Sequence, residues 1–99
     1  MPALRVTLTP TAIEDLGDVE VWLNQPGAGR LSRSLALRIV TAIEDLQRTW
    51  ATHPVDRFRD GYRQRTVGRF VISYRMTVAV DGDVEVLVER VYGPGERRP

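Results

Sequence analysis

No cysteine occurs among the 99 residues, which excludes a disulfide framework, a thiol nucleophile and a thiolate metal site. Histidine is almost as scarce. His53 stands alone, so a zinc site of any familiar kind has too few ligands, and neither a metal nor another cofactor is expected. Lysine is absent: all 14 basic residues are arginines, planar forks suited to carboxylates, phosphates and aromatic faces. No apolar run approaches the roughly 18 residues that a membrane span requires. The opening MPALRVTLTP has neither the charged nor the long apolar region of a secretory signal, so a cytoplasmic protein without a membrane partner is expected. Excess charge is missing too. Thirteen acidic residues leave a net charge of +1, and sequence-specific DNA binding by this chain is not expected.

What remains is the composition of an ordinary globular chain, 42% hydrophobic and 27% charged. It is enough for one small domain, residues 1–99, with a single core. The near-neutral total hides a segregation. Residues 10–24 carry Glu14, Asp15, Asp18 and Glu20 with no arginine, whereas residues 57–75 carry six arginines against Asp60 alone.

Hydrophobic periodicity gives the elements. Leu4, Val6 and Leu8 alternate with Arg5, Thr7 and Thr9, the period of a half-buried strand. Thr9-Pro10 reads as an N-cap followed by proline at the first helical position. Ala12, Leu16, Val19 and Leu23 then make one face of a helix over 10–24, with Glu14, Asp15 and Asp18 on the other side. NQPGAG at 24–29 ends it, and a second helix is predicted from Leu31 to Thr52 on the stripe Leu35, Ile39, Ala42, Leu46 and Trp50. His53-Pro54 stops that helix, with His53 read as a cap whose charged form the helix dipole favours.

The rest reads as sheet: strands at 62–67, 70–80 and 84–92, turning at Gly68 and Asp81-Gly82. A three-residue loop, Val80-Asp81-Gly82 with Gly82 left-handed, pairs Val84, Val86 and Val88 with the apolar face and keeps acids off it. The predicted architecture is α+β in the order β-α-α-β-β-β, a helical hairpin laid on one sheet. Three antiparallel strands form its C-terminal part.

The stretch RFRDGYRQRTVGRF, residues 57–70, interleaves arginines with Phe58, Tyr62 and Phe70, a mixture that clamps phosphates and stacks on bases. The plainer reading is that these arginines pair with the acidic helix and with Asp56 and Asp60. Gly27-Ala28-Gly29 follows a helix and lacks the lysine of phosphate-binding loops, so it reads as a turn. Ser32, Ser34 and Ser73 have no nucleophile context, and Asp81 and Asp83 flank a turn glycine.

Several strings, taken in order, resemble the RelE/ParE superfamily of toxin–antitoxin modules: AIEDLGDVEVWL, LQRTWATHP, DGYRQRTVGRFVISYR and VEVLVERVYG with a final arginine pair. The resemblance covers nearly the whole chain and is nearest to ParE. It implies a toxin that binds DNA gyrase and is neutralised by a cognate ParD-like antitoxin. It also implies a target surface drawn from Arg63, Arg65, Arg69, Arg75, Tyr92, Arg97 and Arg98, with no catalytic residue. The antitoxin is expected at Trp22, Leu23, Trp50, Arg57 and Phe58.

Two alternatives stay open. One is a ribosome-dependent messenger-RNA endonuclease using Arg63, Arg65 and Arg75 with Tyr74 or Tyr92. The other is a non-toxic member that only binds its antitoxin. Val71-Ile72 stands where the nuclease branch would offer an arginine, and no tyrosine follows Arg98. The chain also reads Tyr92-Gly93-Pro94-Gly95-Glu96 where ParE chains commonly run His-Gly-Arg-Arg.

Overall fold

A computed structural model describes residues 3–23 and 29–94, with the side chains of residues 22 and 29–32 excepted. The predicted turn at 24–28, the Trp22 side chain and the Arg97-Arg98 pair thus lie outside the described residues. The elements are β1 (Arg5–Leu8), α1 (Pro10–Leu23), α2 (Gly29–Thr49), β2 (Tyr62–Val67), β3 (Phe70–Val78) and β4 (Val84–Tyr92). The order is the one expected.

The strands form one mixed sheet in the order β1-β4-β3-β2. β2, β3 and β4 are an antiparallel meander, and β1 joins its far edge parallel to β4. Both helices contribute to a core with the facing strand residues. Ile39, Leu46, Phe70, Ile72, Tyr74, Val86 and Val88 are all nearly or fully buried, and burying each such apolar side chain is worth about 1.5–3 kcal/mol.

Local chemistry sets the boundaries. The Thr9 Oγ1 accepts the Ala12 N–H at 3.0 Å, the expected N-cap, and donates to the Glu89 carbonyl at 2.9 Å. One side chain thus starts α1 and fastens it to β4, with the cap itself worth about 1 kcal/mol. α2 ends earlier than predicted, at Thr49. The Thr52 N–H and hydroxyl both turn back onto the Thr49 carbonyl, at 2.9 and 2.7 Å, so the chain leaves the helix before Pro54 forces it to.

Between β3 and β4 the register is that of the three-residue loop. Ala79 N–H bonds the Asp83 carbonyl, Gly82 has φ +88°, and Met76 and Tyr74 face Val86 and Val88. Strand β3 itself stops at Val78, two residues short of the predicted end. The two-residue turn from β2 to β3 uses Gly68 at φ +59°, whose Cα side meets Leu35 of α2 so closely that an added Cβ would touch it at 3.4 Å.

Two features were not expected. A β-bulge between Ser73 and Tyr74 makes Glu89 an extra residue, so Arg90 pairs with Ser73 and Tyr92 with Val71. Asp15, read as part of the polar face of α1, is 9% exposed. It accepts the Val91 N–H at 2.9 Å and the Arg90 Nε–H at 2.7 Å. β1 ends at Leu8, so Asp15 takes over beside the part of β4 that β1 does not reach.

Candidate target-binding surface

Strand alternation distributes the arginine-rich segment over both faces of the sheet. Directly opposed residues share a face, so Arg63 lies with Tyr74 and Arg65 with Ile72, toward the helices. Tyr62 lies with Arg75, on the opposite face. Arg69 sits in the β2–β3 turn and is exposed.

Arg63 and Arg65 are half-buried and close on one residue. Arg63 donates to the His53 carbonyl at 2.7 Å, and Arg65 donates to His53 Nε2 at 3.0 Å. A guanidinium can only donate, so Nε2 must carry its lone pair and His53 is neutral. Burial, then the positive charges of Arg65 and Arg63, hold the imidazole below its ordinary pKa of 6.5. The expectation that the helix dipole keeps His53 charged is therefore corrected. α2 ends four residues before it, and two guanidiniums face it. Each of Arg63 and Arg65 thereby bridges β2 to the segment after α2.

Tyr74 is fully buried and donates its hydroxyl to the Trp50 carbonyl at 2.7 Å. Burial pushes its pKa up to about 12, against the pull of Arg63 and Arg65. The ring of His53 meets it edge-on at 6.3 Å.

The opposite face carries a ladder of paired charges. Arg75 Nε is 3.0 Å from Glu89, and Arg5 Nε is 2.9 Å from Glu85, which also accepts the Thr7 hydroxyl. Arg59 stacks over the Tyr62 ring at 3.8 Å. Among the described residues no arginine at 57–75 forms a salt bridge to α1, whereas Arg59 acts on Asp56, as the plainer reading of that segment allowed. Tyr92 is 3% exposed, its hydroxyl buried without a hydrogen-bond partner among the described residues and Arg90 lying 4.8 Å above its ring. It is not the free strand-end tyrosine that its position suggested. The bulge places Tyr92 beside Val71, on the face away from the helices, where it is nonetheless buried.

Of the residues expected to meet a partner, Leu23 is buried in the core. Trp50 is half-buried, with its indole N–H unpartnered among the described residues. Arg57 and Phe58 are exposed in the loop before β2, Phe58 to 86%. Sequence reasoning missed Asp15. Its spacing, three residues after Ala12 and four before Val19, was the available signal.

Among the described residues no three histidine, aspartate or glutamate side chains converge on a metal-sized space, and no helix is long and apolar enough to cross a membrane. No protein-family model matches the sequence, and no curated protein matches it significantly. Solved structures do. The chain is similar to a chain of the chromosomal ParDE toxin–antitoxin system from P. aeruginosa, with TM-score 0.71 and 16% identity over 95% of this chain and 99% of that one. It is also similar to a chain of the RelBE2 toxin–antitoxin complex from Mycobacterium tuberculosis, with TM-score 0.60 and 25% identity over 92% of this chain and 98% of that one.

Proposed function

We propose that this chain, a member of the RelE/ParE superfamily by its fold, is the toxin of a type II toxin–antitoxin module. It acts by binding DNA gyrase and is held inactive by a cognate ParD-like antitoxin. One observation carries the choice of a binding toxin over a nuclease. The side chains that cleavage would need are divided by the sheet, with Arg63, Arg65 and Tyr74 on the helix side and Arg75 opposite. Cleavage of RNA needs a base for the 2′-hydroxyl, an acid for the leaving group and positive charge at one phosphate, all within reach of each other. Here the Tyr74 hydroxyl is spent on a carbonyl and that of Tyr92 is buried. Among the described residues the surface left for a target is cationic, with exposed Arg69 and half-exposed Arg75; Arg97 and Arg98, expected there from the sequence, lie outside the described residues.

The test is induction in cells, alone and with the adjacent reading frame. The expected result is growth arrest with loss of negative supercoiling and intact messages, relieved by co-expression. Codon-phased message cleavage with normal supercoiling would move the chain to the nuclease branch. Harmless expression of a chain that still binds the neighbouring product would leave only the antitoxin-binding role.

A further inference from the structure

Residues 54–56 lie as a short strap along the outer edge of β2. Gln64 N–H bonds the Pro54 carbonyl at 2.9 Å, Asp56 N–H bonds the Tyr62 carbonyl at 2.8 Å, and Val55 pairs with Arg63. Little apolar burial holds the strap there. Val55 is 59% exposed and Phe58, just beyond it, 86%. A segment with few buried apolar contacts sits at the low end of local stability, so its polar fasteners decide whether it stays. Two of these run through His53, whose carbonyl accepts Arg63 and whose ring accepts Arg65.

The ring has two neighbours that ask for opposite protonation states. Its Nε2 is 3.0 Å from Arg65 Nη1 and 3.0 Å from Thr49 Oγ1. Arg65 can only donate, so it needs the Nε2 lone pair. The Thr49 hydroxyl already donates to the Asp45 carbonyl at 3.0 Å, which leaves its oxygen an acceptor in need of an N–H. A bare Nε2 therefore belongs to β2, and a protonated one to the end of α2. The charges around the ring favour that exchange. Arg65 and Arg63 face it from β2, with no carboxylate within ion-pair distance of either among the described residues. Tyr74 meets it from β3 and is neutral, because burial lifts its pKa to about 12. On α2, Asp45 lines the same cleft as Arg65 without pairing with it. In the strap, Asp56 is occupied by the Phe58 N–H at 2.8 Å and by the Gln64 side chain.

We propose that His53 is a proton-operated latch on this strap. With Nε2 bare, the ring holds the strap to β2 through Arg65. Protonated, it turns to Thr49, stands against two guanidiniums of like charge, and lets residues 54–56 leave the edge. Release frees Arg63 and Arg65 from the chain's own acceptors and bares the β2 backbone at Tyr62 and Gln64. The latch needs neither antitoxin nor target, so it stands or falls apart from the toxin reading above.

The test follows amide exchange and the His53 ring resonances of the folded free chain by NMR as pH is lowered. Opening that takes up one proton weakens protection by up to about tenfold per pH unit, between 6.5 and the lower pKa of the latched ring. The Gln64 and Asp56 amides are expected to lose protection in that range, relative to intrinsic exchange, while amides of β4 bonded to β3 keep theirs. Arg65→Gln is expected to raise the His53 pKa. Thr49→Val, which removes the acceptor and keeps the volume, is expected to lower it. Strap and β4 amides that lose protection in step report global unfolding and overturn the latch, as does strap protection that ignores pH. A Thr49→Val ring that titrates like the parent's overturns the exchange of partners and the latch with it. Should either variant fail to fold, the parent's own exchange profile decides the case.

Discussion

Along the β1–β4 side of the sheet, each buried or half-buried carboxylate has an arginine against it. Asp15 holds Arg90, Glu85 holds Arg5 and Glu89 holds Arg75. Along the β2 side the arginines outnumber the acids, and two of them bond nothing more anionic than a carbonyl and an imidazole. The overall charge of +1 averages these two regions and describes neither. On the first side, charge is structural and its partners lie within the chain. On the second it is left uncompensated, which is costly for a lone domain and useful for one that meets a partner.

The comparison is broken most severely at Asp15. Replacing it with alanine strips Arg90 of its carboxylate and the Val91 N–H of its acceptor in a site little reached by water. Breaking such a buried pair costs about 3 kcal/mol, discounted here because Arg90 is one-third exposed. Asp15→Ala is expected to lower stability in a denaturant titration by roughly 2 kcal/mol, or a melting temperature by about 10 °C. A change under half of that would mean the pair is no more than a surface contact.

A smaller effect should appear on the β2 side, through pH. The folded chain refuses the proton on His53 while the unfolded chain accepts it near the ordinary value of 6.5. Stability from this group is therefore full above that value and is lost as pH falls toward the lower folded pKa. The melting temperature of the parent should fall further between about pH 7.5 and 5 than that of His53→Gln, in which no such proton is taken up. Parallel curves would mean that Arg63 and Arg65 do not act on the ring.

The smallest effect sharpens the contrast. Tyr92 lies on the well-paired side but hides a hydroxyl with no partner among the described residues, a burial that costs about 1–3 kcal/mol. Tyr92→Phe should leave the melting temperature unchanged or slightly higher, with toxicity retained. A clear loss of stability would mean that the hydroxyl is bonded.

How far these sites were legible follows from the range of the interactions involved. Alternation at 84–92, the Thr9-Pro10 cap and the Asp81-Gly82 loop are local, and each marks its element without reference to the rest of the chain. Which face Arg63 and Arg65 take follows from register with Tyr74 and Ile72, once the core face of β3 is known. Tyr92 could not be read this way. Its direction depends on the extra residue at Glu89, and a bulge leaves no mark in an otherwise regular apolar alternation. Asp15 was misassigned because an acid on a helix is ordinarily solvated. Its partner, the Val91 N–H, lies 76 residues further on.

The parallel pairing of β1 with β4 also governs when the protein can exist. Arg5 and Thr7 find their partner Glu85 across a separation of about 80 residues, and the α1 cap waits for Glu89 in the same way. Contacts of such long range are slow to form because loop closure precedes any reward. Chains are made from the N-terminus, so β1 has no strand to pair with until β4 has been added. A partly synthesised chain has the meander's beginning and two helices but no completed sheet. The sheet is thus completed only by β4, and a chain cut short before it is left with no edge for β1 to join.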